Sequence, residues 1–142
     1  MDIKIIVATH KKYWMPKDDI YIPLHVGHAG KEDLGYAGDD TGENISKKNS
    51  TFCELTGMYW AWKNLRADYK GIVHYRRYFT YGNPWLNKKR HILGKRGFQR
   101  AFQRSDIVVP DLRNHYIETN RSHYAHAHHL KDLEITRRVI SE

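Results

Sequence analysis

Residues 3–11 read Ile-Lys-Ile-Ile-Val-Ala-Thr-His-Lys, and this stretch decides the class of fold. The largely β-branched run from Ile3 to Ala8 is short and apolar, which predicts a buried strand. It ends abruptly in Thr9, His10 and Lys11. Ligands of open α/β sheets bind at the carboxyl ends of the strands. The sequence therefore predicts that these polar residues lie where a ligand binds.

Further extended and helical segments follow this strand. Residues 20–26 contain Pro23 and predict a weaker, edge-type strand. Residues 27–48 are rich in Gly, Asp, Lys and Asn and predict a long functional loop. Other strands are expected over 71–75 and 106–109, and helices over 97–103 and 122–142. This alternation predicts an α/β architecture.

A longer helix is predicted to begin near residues 49–51. Thr51 and Glu54 have the spacing of a capping box. An apolar stripe with helical periodicity follows, and we expect it to face the core together with Trp60. The stripe consists of Phe52, Leu55, Met58, Tyr59, Trp62 and Leu65.

Composition narrows the class of protein. The chain has 142 residues, of which 40% are hydrophobic, and this favours one globular domain over a disordered chain. The single cysteine, Cys53, excludes an internal disulfide. The apolar run at the N-terminus is too short for a signal peptide, and no stretch has the length of a membrane span. We therefore expect a cytoplasmic protein.

The formal net charge of +8 predicts an anionic partner. Nucleic acid, an acidic membrane surface and a phosphorylated small molecule all fit this charge. Only the positions of the basic residues distinguish between these partners.

The first candidate site is His74-Tyr75-Arg76-Arg77, which follows the predicted strand at 71–75. Two arginines and a histidine at the end of a buried strand need an anion, a carboxylate or water. The planar guanidinium group suits bidentate contacts with phosphate. The pattern fits a pyrophosphate clamp, and it also fits an ordinary arginine pair bridged to acidic residues.

The second candidate is the acidic loop over 38–46, which contains Asp39, Asp40, Asn44 and Ser46. Such residues ligate Mg²⁺ or Mn²⁺, accept ribose hydroxyls or bind an acceptor sugar. The same residues are also common turn formers. Both interpretations stay open.

The third candidate is a group of histidines near the C-terminus: His123, His126, His128 and His129, with His115 nearby. An imidazole at His123 suits a general base or a proton donor to a leaving diphosphate. A zinc site would need further ligands, and the HExxH pattern is absent from the sequence. A histidine-rich metal hydrolase is therefore a minor alternative.

Several of these segments, at matching spacing, resemble one family. They are Ile-Ile-Val-Ala-Thr-His-Lys-Lys-Tyr, Tyr-Ile-Pro-Leu-His-Val-Gly, Gly-Asp-Asp-Thr-Gly-Glu-Asn-Ile-Ser-Lys-Lys-Asn, Cys-Glu-Leu-Thr-Gly-Met-Tyr-Trp-Ala-Trp-Lys-Asn and Gly-Ile-Val-His-Tyr-Arg-Arg-Tyr-Phe. The chain resembles the domain-of-unknown-function family four-four-two-two, found among bacterial glycosyltransferases of capsular and exopolysaccharide biosynthesis. The resemblance extends over essentially the whole chain, which looks like a member shortened at its C-terminus.

The resemblance implies a GT-A-like, Rossmann-like nucleotide-diphospho-sugar transferase domain over residues 1–142, incomplete on its acceptor side. It implies transfer of a hexosyl group, with uridine-diphosphate hexose as the leading donor class and galactofuranosyl transfer as one form. The acceptor would be a growing glycan or a lipid-linked glycan, and peripheral association with the inner membrane face would be compatible with it. Nucleic acid would not be a partner.

The resemblance and the candidate sites together assign residues. The catalytic candidates are His74, Arg76, Arg77 and His123. The first three lie where many GT-A enzymes carry an Asp-x-Asp metal motif, and we infer from the residues that their cations replace the metal at the diphosphate. The resemblance places Thr9, His10 and Lys11 at the nucleobase of the donor. The first two candidate sites add Asp39, Asp40, Asn44, Ser46 and Tyr75 as donor-binding residues. No metal is required by this assignment, and Asp39 and Asp40 are the fallback ligands for Mg²⁺ or Mn²⁺. The runner-up function is a basic nucleic-acid-binding module built on residues 88–104.

Overall fold

The computed structural model describes residues 1–82, 88–112 and 116–142. These residues form two compact units, Met1–Val108 and Val109–Glu142. The first contains a parallel sheet with helices, and the second contains two helices. The assignment of residues 1–142 to a single domain stays a prediction.

The sheet of the first unit has four parallel strands in the order β3-β2-β1-β4. They are β1 (Ile3–Thr9), β2 (Tyr21–His25), β3 (Ala37–Gly38) and β4 (Tyr69–His74). The chain moves outward from β1 to β3 and then returns to the other side of β1. This order is the first part of the doubly wound, Rossmann-like order 3-2-1-4-5-6. The predicted α/β class is therefore confirmed.

The core lies on both faces of β1, which is buried along almost its whole length. Side chains alternate between the faces of a strand. Ile3, Ile5 and Val7 pack with Tyr75 and Phe98 on one face. On the other face, Ile6 and Ala8 pack with Leu24, Val26 and Ala61.

The second strand is an edge strand at one end only. Strand β3 pairs with Leu24 and His25, so β2 has no outer partner at Pro23. Because proline has no backbone N–H to donate, it is tolerated at an unpaired strand edge. The predicted edge character is correct at Pro23 and wrong for the carboxyl end of β2, which is internal to the sheet.

The predicted helix after residue 49 is divided into α1 (Asn49–Phe52) and α2 (Leu55–Asn64). The break falls at Cys53, whose φ of 47° is left-handed. Helix α2 begins after Glu54, which has no side-chain cap. The predicted capping box of Thr51 and Glu54 is therefore wrong.

The buried face of α2 also differs from the prediction. Thr56, Gly57 and Ala61 are buried. A Cβ atom at Gly57 would lie 2.7 Å from the Val26 side chain, so small residues let α2 approach the sheet. The predicted core residues Phe52, Leu55, Met58 and Trp62 are exposed, whereas Trp60 and Leu65 are partly buried against the core.

After β4, a 3₁₀-helix at Lys88–His91 leads to α3 (Lys95–Phe102). Asp18 contacts the start of α3, where its Oδ2 accepts a hydrogen bond from Lys95 N at 3.0 Å. The strand predicted over 106–109 is not formed, and Ile107 is 75% exposed.

The second unit contains α4 (Asn120–Ala127) and α5 (Leu130–Ser141). Thr119 and Ser122 form a capping box at the start of α4. His128 and His129 are extended, so the single helix predicted over 122–142 is interrupted there. None of the helices described is long and apolar enough to cross a bilayer.

Candidate functional site

The candidate site lies at the carboxyl edge of the sheet, where the ends of β1 and β4 meet. Successive strands are added on one side of β1 as far as β3 and on its other side from β4 onward, and doubly wound sheets bind ligands in the crevice at such a switch point. Thr9 ends β1, and its Oγ donates to Lys11 O at 2.6 Å. This buried hydroxyl closes the turn that presents His10 and Lys11.

Tyr75 organises the side chains at this switch point. It is 1% exposed, and its N–H donates to Ala8 O, which continues the pairing of β4 with β1. Lys11 Nζ lies 5.5 Å from the centre of the Tyr75 ring, and Arg76 Cζ lies 5.2 Å from it. His10 packs edge-on against the same ring with centroids 5.4 Å apart, and the His74 ring lies 4.3 Å from it.

We call His10, Lys11, His74, Arg76 and Arg77 the cation cluster. Arg76 and Arg77 are exposed. Within the described parts of the chain, neither guanidinium forms an ion pair with a carboxylate. Both arginines are therefore available to an anion or to water, and their role as a pyrophosphate clamp stays a prediction.

His74 is the half-buried member of the cation cluster. Burial lowers the pKa of its imidazole, and the neighbouring Arg76 and Arg77 lower it further. Glu54 opposes this effect from 3.8 Å. In the absence of an added anion, the site therefore favours neutral His74.

Asp39 has a different environment from the cation cluster, although it also lies at the carboxyl edge. It is 0% exposed and accepts hydrogen bonds from the backbone N–H groups of Gly27 and His28 and from the hydroxyls of Ser46 and Thr56. Burial alone would raise the pKa of this carboxyl, but the four hydrogen bonds hold it below its usual value. We call these five residues the Asp39 network.

The network explains the fold of the loop over 27–48. Because all four donors converge on one carboxylate, Asp39 joins the ends of β2 and β3 to α2. Ser46 Oγ also accepts a hydrogen bond from Ala29 N at 3.1 Å. Asp39 and Ser46, both predicted donor-binding residues, are thus fully engaged within the protein.

Asp40 and Asn44 lie beside this network. Asp40 Oδ1 is 2.7 Å from His28 Nδ1. Asn44 Nδ2 donates to Asp40 O and Gly42 O, which closes the turn. Both residues line a cavity of about 500 Å³ with Lys47 and Lys48, so they remain candidates for ligand contact.

The fallback magnesium or manganese site is not formed by Asp39 and Asp40 in this conformation. Asp39 uses its oxygens for the network, and the Asp40 carboxylate contacts His28. In the portion of the chain that the structure describes, no group of three or more His, Cys, Asp or Glu side chains is arranged to hold a metal ion. A divalent-metal requirement stays a prediction.

The remaining predicted candidates belong to other segments of the chain. His123 and His126 lie in the second unit, each with Nδ1 at 3.1 Å from a Glu118 oxygen. His115 lies outside the described residues. The basic residues of α3 line a cavity of about 800 Å³ with Asp18 and Asp19, which precede β2 and so lie at the opposite edge of the sheet.

Sequence reasoning missed His25 and His28. His25 ends β2 and is 2% exposed, and the two rings have centroids 4.9 Å apart. The signal in the sequence is a pair of histidines three residues apart at the carboxyl end of a predicted strand, with His25 in the strand and His28 just after it. The pair lies beside Thr9, which is the register partner of His25.

Comparison with known proteins identifies the family. The model of a domain of unknown function, DUF4422, matches residues 4–142. The chain belongs to this family. No curated protein matches the chain in sequence.

This DUF4422 member is also similar to a solved structure, the bifunctional glycosyltransferase WbbM in its apo form. The TM-score is 0.76 and the sequence identity is 31%. The match covers 94% of this chain and 28% of that one. The chain therefore spans less than a third of the length of that protein.

Proposed function

We propose that this chain binds the nucleotide-diphosphate sugar of a bacterial glycosyltransferase. The enzyme would move a hexosyl group, with galactofuranosyl as one candidate, to a growing capsular or exopolysaccharide glycan. The similarity to WbbM supports the general activity, because that protein is a glycosyltransferase.

One observation carries the proposal. The cation cluster lies at the switch point of a Rossmann-like sheet, and its two arginines have no carboxylate partner among the described residues. Arginine forks match phosphate oxygens in a bidentate manner. A diphosphate is the nucleotide-sugar group that would supply the missing negative charge.

The same geometry suggests how the cluster would assist transfer. When the bond between the sugar carbon and the diphosphate oxygen breaks, negative charge develops on the leaving group. Preorganised cations stabilise such charge without reorganisation during the reaction. Lys11 and Arg76, both beside the Tyr75 ring, are the best-positioned members of the cluster for this role.

The partners follow from the same proposal. A uridine-diphosphate hexose is the proposed donor, and a glycan or a lipid-linked glycan is the proposed acceptor. Peripheral contact with the inner membrane face would bring a lipid-linked acceptor to the enzyme. Protein cations would take the role that a metal has in other transferases, although a supporting Mg²⁺ or Mn²⁺ stays open to test.

The decisive experiment compares ligands that share a uridine and differ in their phosphate and sugar groups. Uridine, uridine diphosphate and several uridine-diphosphate hexoses are added to the protein, with and without Mn²⁺, and thermal unfolding is followed. A ligand at 100 times its Kd adds about 2.7 kcal/mol of stability. We expect this stabilisation for the diphosphates and much less for uridine.

Matched variants assign the effect to the cluster. Arg76→Ala and Arg77→Ala should remove most of the stabilisation by diphosphates. Arg66→Ala is the control, because Arg66 is also exposed but precedes β4 at the opposite edge of the sheet. Equal responses to uridine and uridine diphosphate would refute the clamp. Steeply salt-dependent binding of DNA or RNA would instead support the nucleic-acid module.

A further inference from the structure

The rings of His25 and His28 contain buried polar atoms that the proposed function does not use. Both ring nitrogens of His25 and Nε2 of His28 are buried without a hydrogen-bond partner among the described residues. A neutral imidazole carries one N–H donor and one acceptor. Leaving such groups unpaired in the interior costs about 1–3 kcal/mol each. A ligand that uses these nitrogens would remove this cost.

The orientation of His28 is fixed by a carboxylate. Its Nδ1 lies 2.7 Å from Asp40 Oδ1, a geometry in which the neutral imidazole donates from Nδ1 and has its lone pair on Nε2. Histidines that ligate metals commonly donate their other ring N–H to a carboxylate in this way. Asp40 thus has the position of an orienting partner.

The backbone at Gly38 leaves room for the contact between His28 and Asp40. A Cβ atom at Gly38 would lie 2.3 Å from His28 Nδ1 and 2.4 Å from Asp40 Oδ1. Only glycine leaves room for the imidazole and the carboxylate to meet at this position. The Asp39 network holds the same segment, because Asp39 Oδ1 accepts from His28 N at 3.0 Å.

The spacing of the two imidazoles suits a shared cation. Their centroids are 4.9 Å apart, with an angle of 56° between the ring planes. Imidazole nitrogen binds zinc at about 2.0–2.1 Å, which places two rings on one tetrahedral ion roughly 5 Å apart between centres. Imidazole favours zinc and similar transition metals, whereas Mg²⁺ prefers oxygen ligands.

We propose that His25 and His28 form a two-histidine site for a divalent transition-metal ion of the zinc, cobalt or nickel class, with Asp40 orienting His28. Water or ligand oxygens complete the coordination. The site is separate from the cation cluster and does not depend on the proposed transfer of sugar.

The test uses the untagged full chain freed of metal by a chelator. Zn²⁺, Co²⁺ or Mg²⁺ is added, binding is measured by calorimetry, and the visible absorption of Co²⁺ reports imidazole coordination. We expect one Zn²⁺ or Co²⁺ ion per chain at this site and no comparable effect of Mg²⁺. His28→Ala should abolish the Co²⁺ signal, and Asp40→Asn should weaken binding about 10–100-fold.

His126→Ala is the matched control, because its imidazole also lies beside a carboxylate but on an exposed helix. It should leave the Co²⁺ signal intact. His25→Gln keeps a polar group in the core if His25→Ala fails to fold, and circular dichroism checks its fold. Absence of Zn²⁺ and Co²⁺ binding, or a Co²⁺ signal that survives His28→Ala, would overturn the proposal, and loss of the signal in His126→Ala would place the ion in the second unit instead.

Discussion

The Asp39 network and the cation cluster lie at the same edge of one sheet, but they differ in whether the protein itself provides partners for their charges. Asp39 is buried and meets four donors from its own chain. Arg76 and Arg77 are exposed, and neither has an ion-pair partner within the described residues. A buried charge that the protein neutralises internally maintains the fold, whereas an exposed group of charges without an internal partner is available to bind a ligand. The difference separates structural residues from binding residues in a region where both types are polar.

The largest expected effect is the loss of the Asp39 carboxylate. Asp39→Asn replaces an ionised acceptor by an amide and brings NH₂ donors towards the four existing donors. Hydrogen bonds to charged groups contribute about 1.5–3 kcal/mol each, and effects in one network are not additive. We expect the free energy of unfolding in urea to fall by about 3 kcal/mol or more.

Asp33→Asn is the control for this substitution, because Asp33 is exposed and accepts one hydrogen bond, from Gly35 N. It should change stability by less than about 1 kcal/mol. Acid titration sharpens the result. The pKa of Asp39 is lower in the folded protein than in the unfolded chain. Its contribution to the free energy of unfolding is therefore fully present above the unfolded pKa and is lost as the pH falls through the folded pKa. An equal loss in both variants would contradict a structural role specific to Asp39.

The two regions also differ in how much of them could be predicted from the sequence alone. The strand at Ile3–Thr9 was predictable, because a β-branched run that ends in polar residues has few alternatives. The arginines after β4 were predictable as candidates, because such charges cannot be buried unpaired. The role of Asp39 was not predictable, because its partners Ser46 and Thr56 come from separate segments that only the fold brings together.

Helix α2 shows a different limit. The periodicity of its large apolar residues suggested a core-facing stripe, yet Trp62 is 64% exposed. Gly57 and Ala61 share a face at a spacing of four residues, and that face packs on the sheet. Hydrophobic periodicity identifies an apolar face, but close approach between a helix and a sheet selects small side chains. The missed pair of His25 and His28 likewise depends on burial that the sequence does not display.

The next largest effect concerns Tyr75, which connects the core to the cation cluster. Tyr75→Leu and Phe98→Leu both shorten a buried aromatic side chain of the same core cluster, and each should destabilise the protein by about 1–3 kcal/mol. Only Tyr75→Leu removes the ring beside Lys11 and Arg76. Cation–π contacts contribute about 0.5–2 kcal/mol each, so diphosphate binding should weaken about tenfold.

Calorimetry with uridine diphosphate, carried out well below the unfolding temperature of each variant, separates the two effects. Tyr75→Phe keeps the ring and should retain binding. If Phe98→Leu weakens binding as much as Tyr75→Leu, the effect comes from general loss of packing, and the special position of Tyr75 is refuted.

The smallest expected effect is the dependence of donor binding on pH through His74. Its pKa is lowered in the free protein by burial and by Arg76 and Arg77. A bound diphosphate adds negative charge beside these cations and should raise this pKa, so binding takes up a proton. By linkage, affinity should increase as the pH falls through the bound value and level off below the free value, which lies under 6.5. The gain is at most about tenfold for each unit between the two pKa values.

A uridine-diphosphate hexose is the suitable probe for this dependence, because both of its phosphates are esterified and neither titrates near pH 6. His74→Gln should flatten the pH profile of its Kd, and His126→Gln in the second unit should leave the profile unchanged. His74 also makes the stability of the folded protein depend on pH, with the opposite sign to its effect on donor affinity. Since the folded protein holds this proton less tightly than the unfolded chain, stability should decrease as the pH falls below about 6.5. A profile that is equally steep in His74→Gln would refute this role of His74.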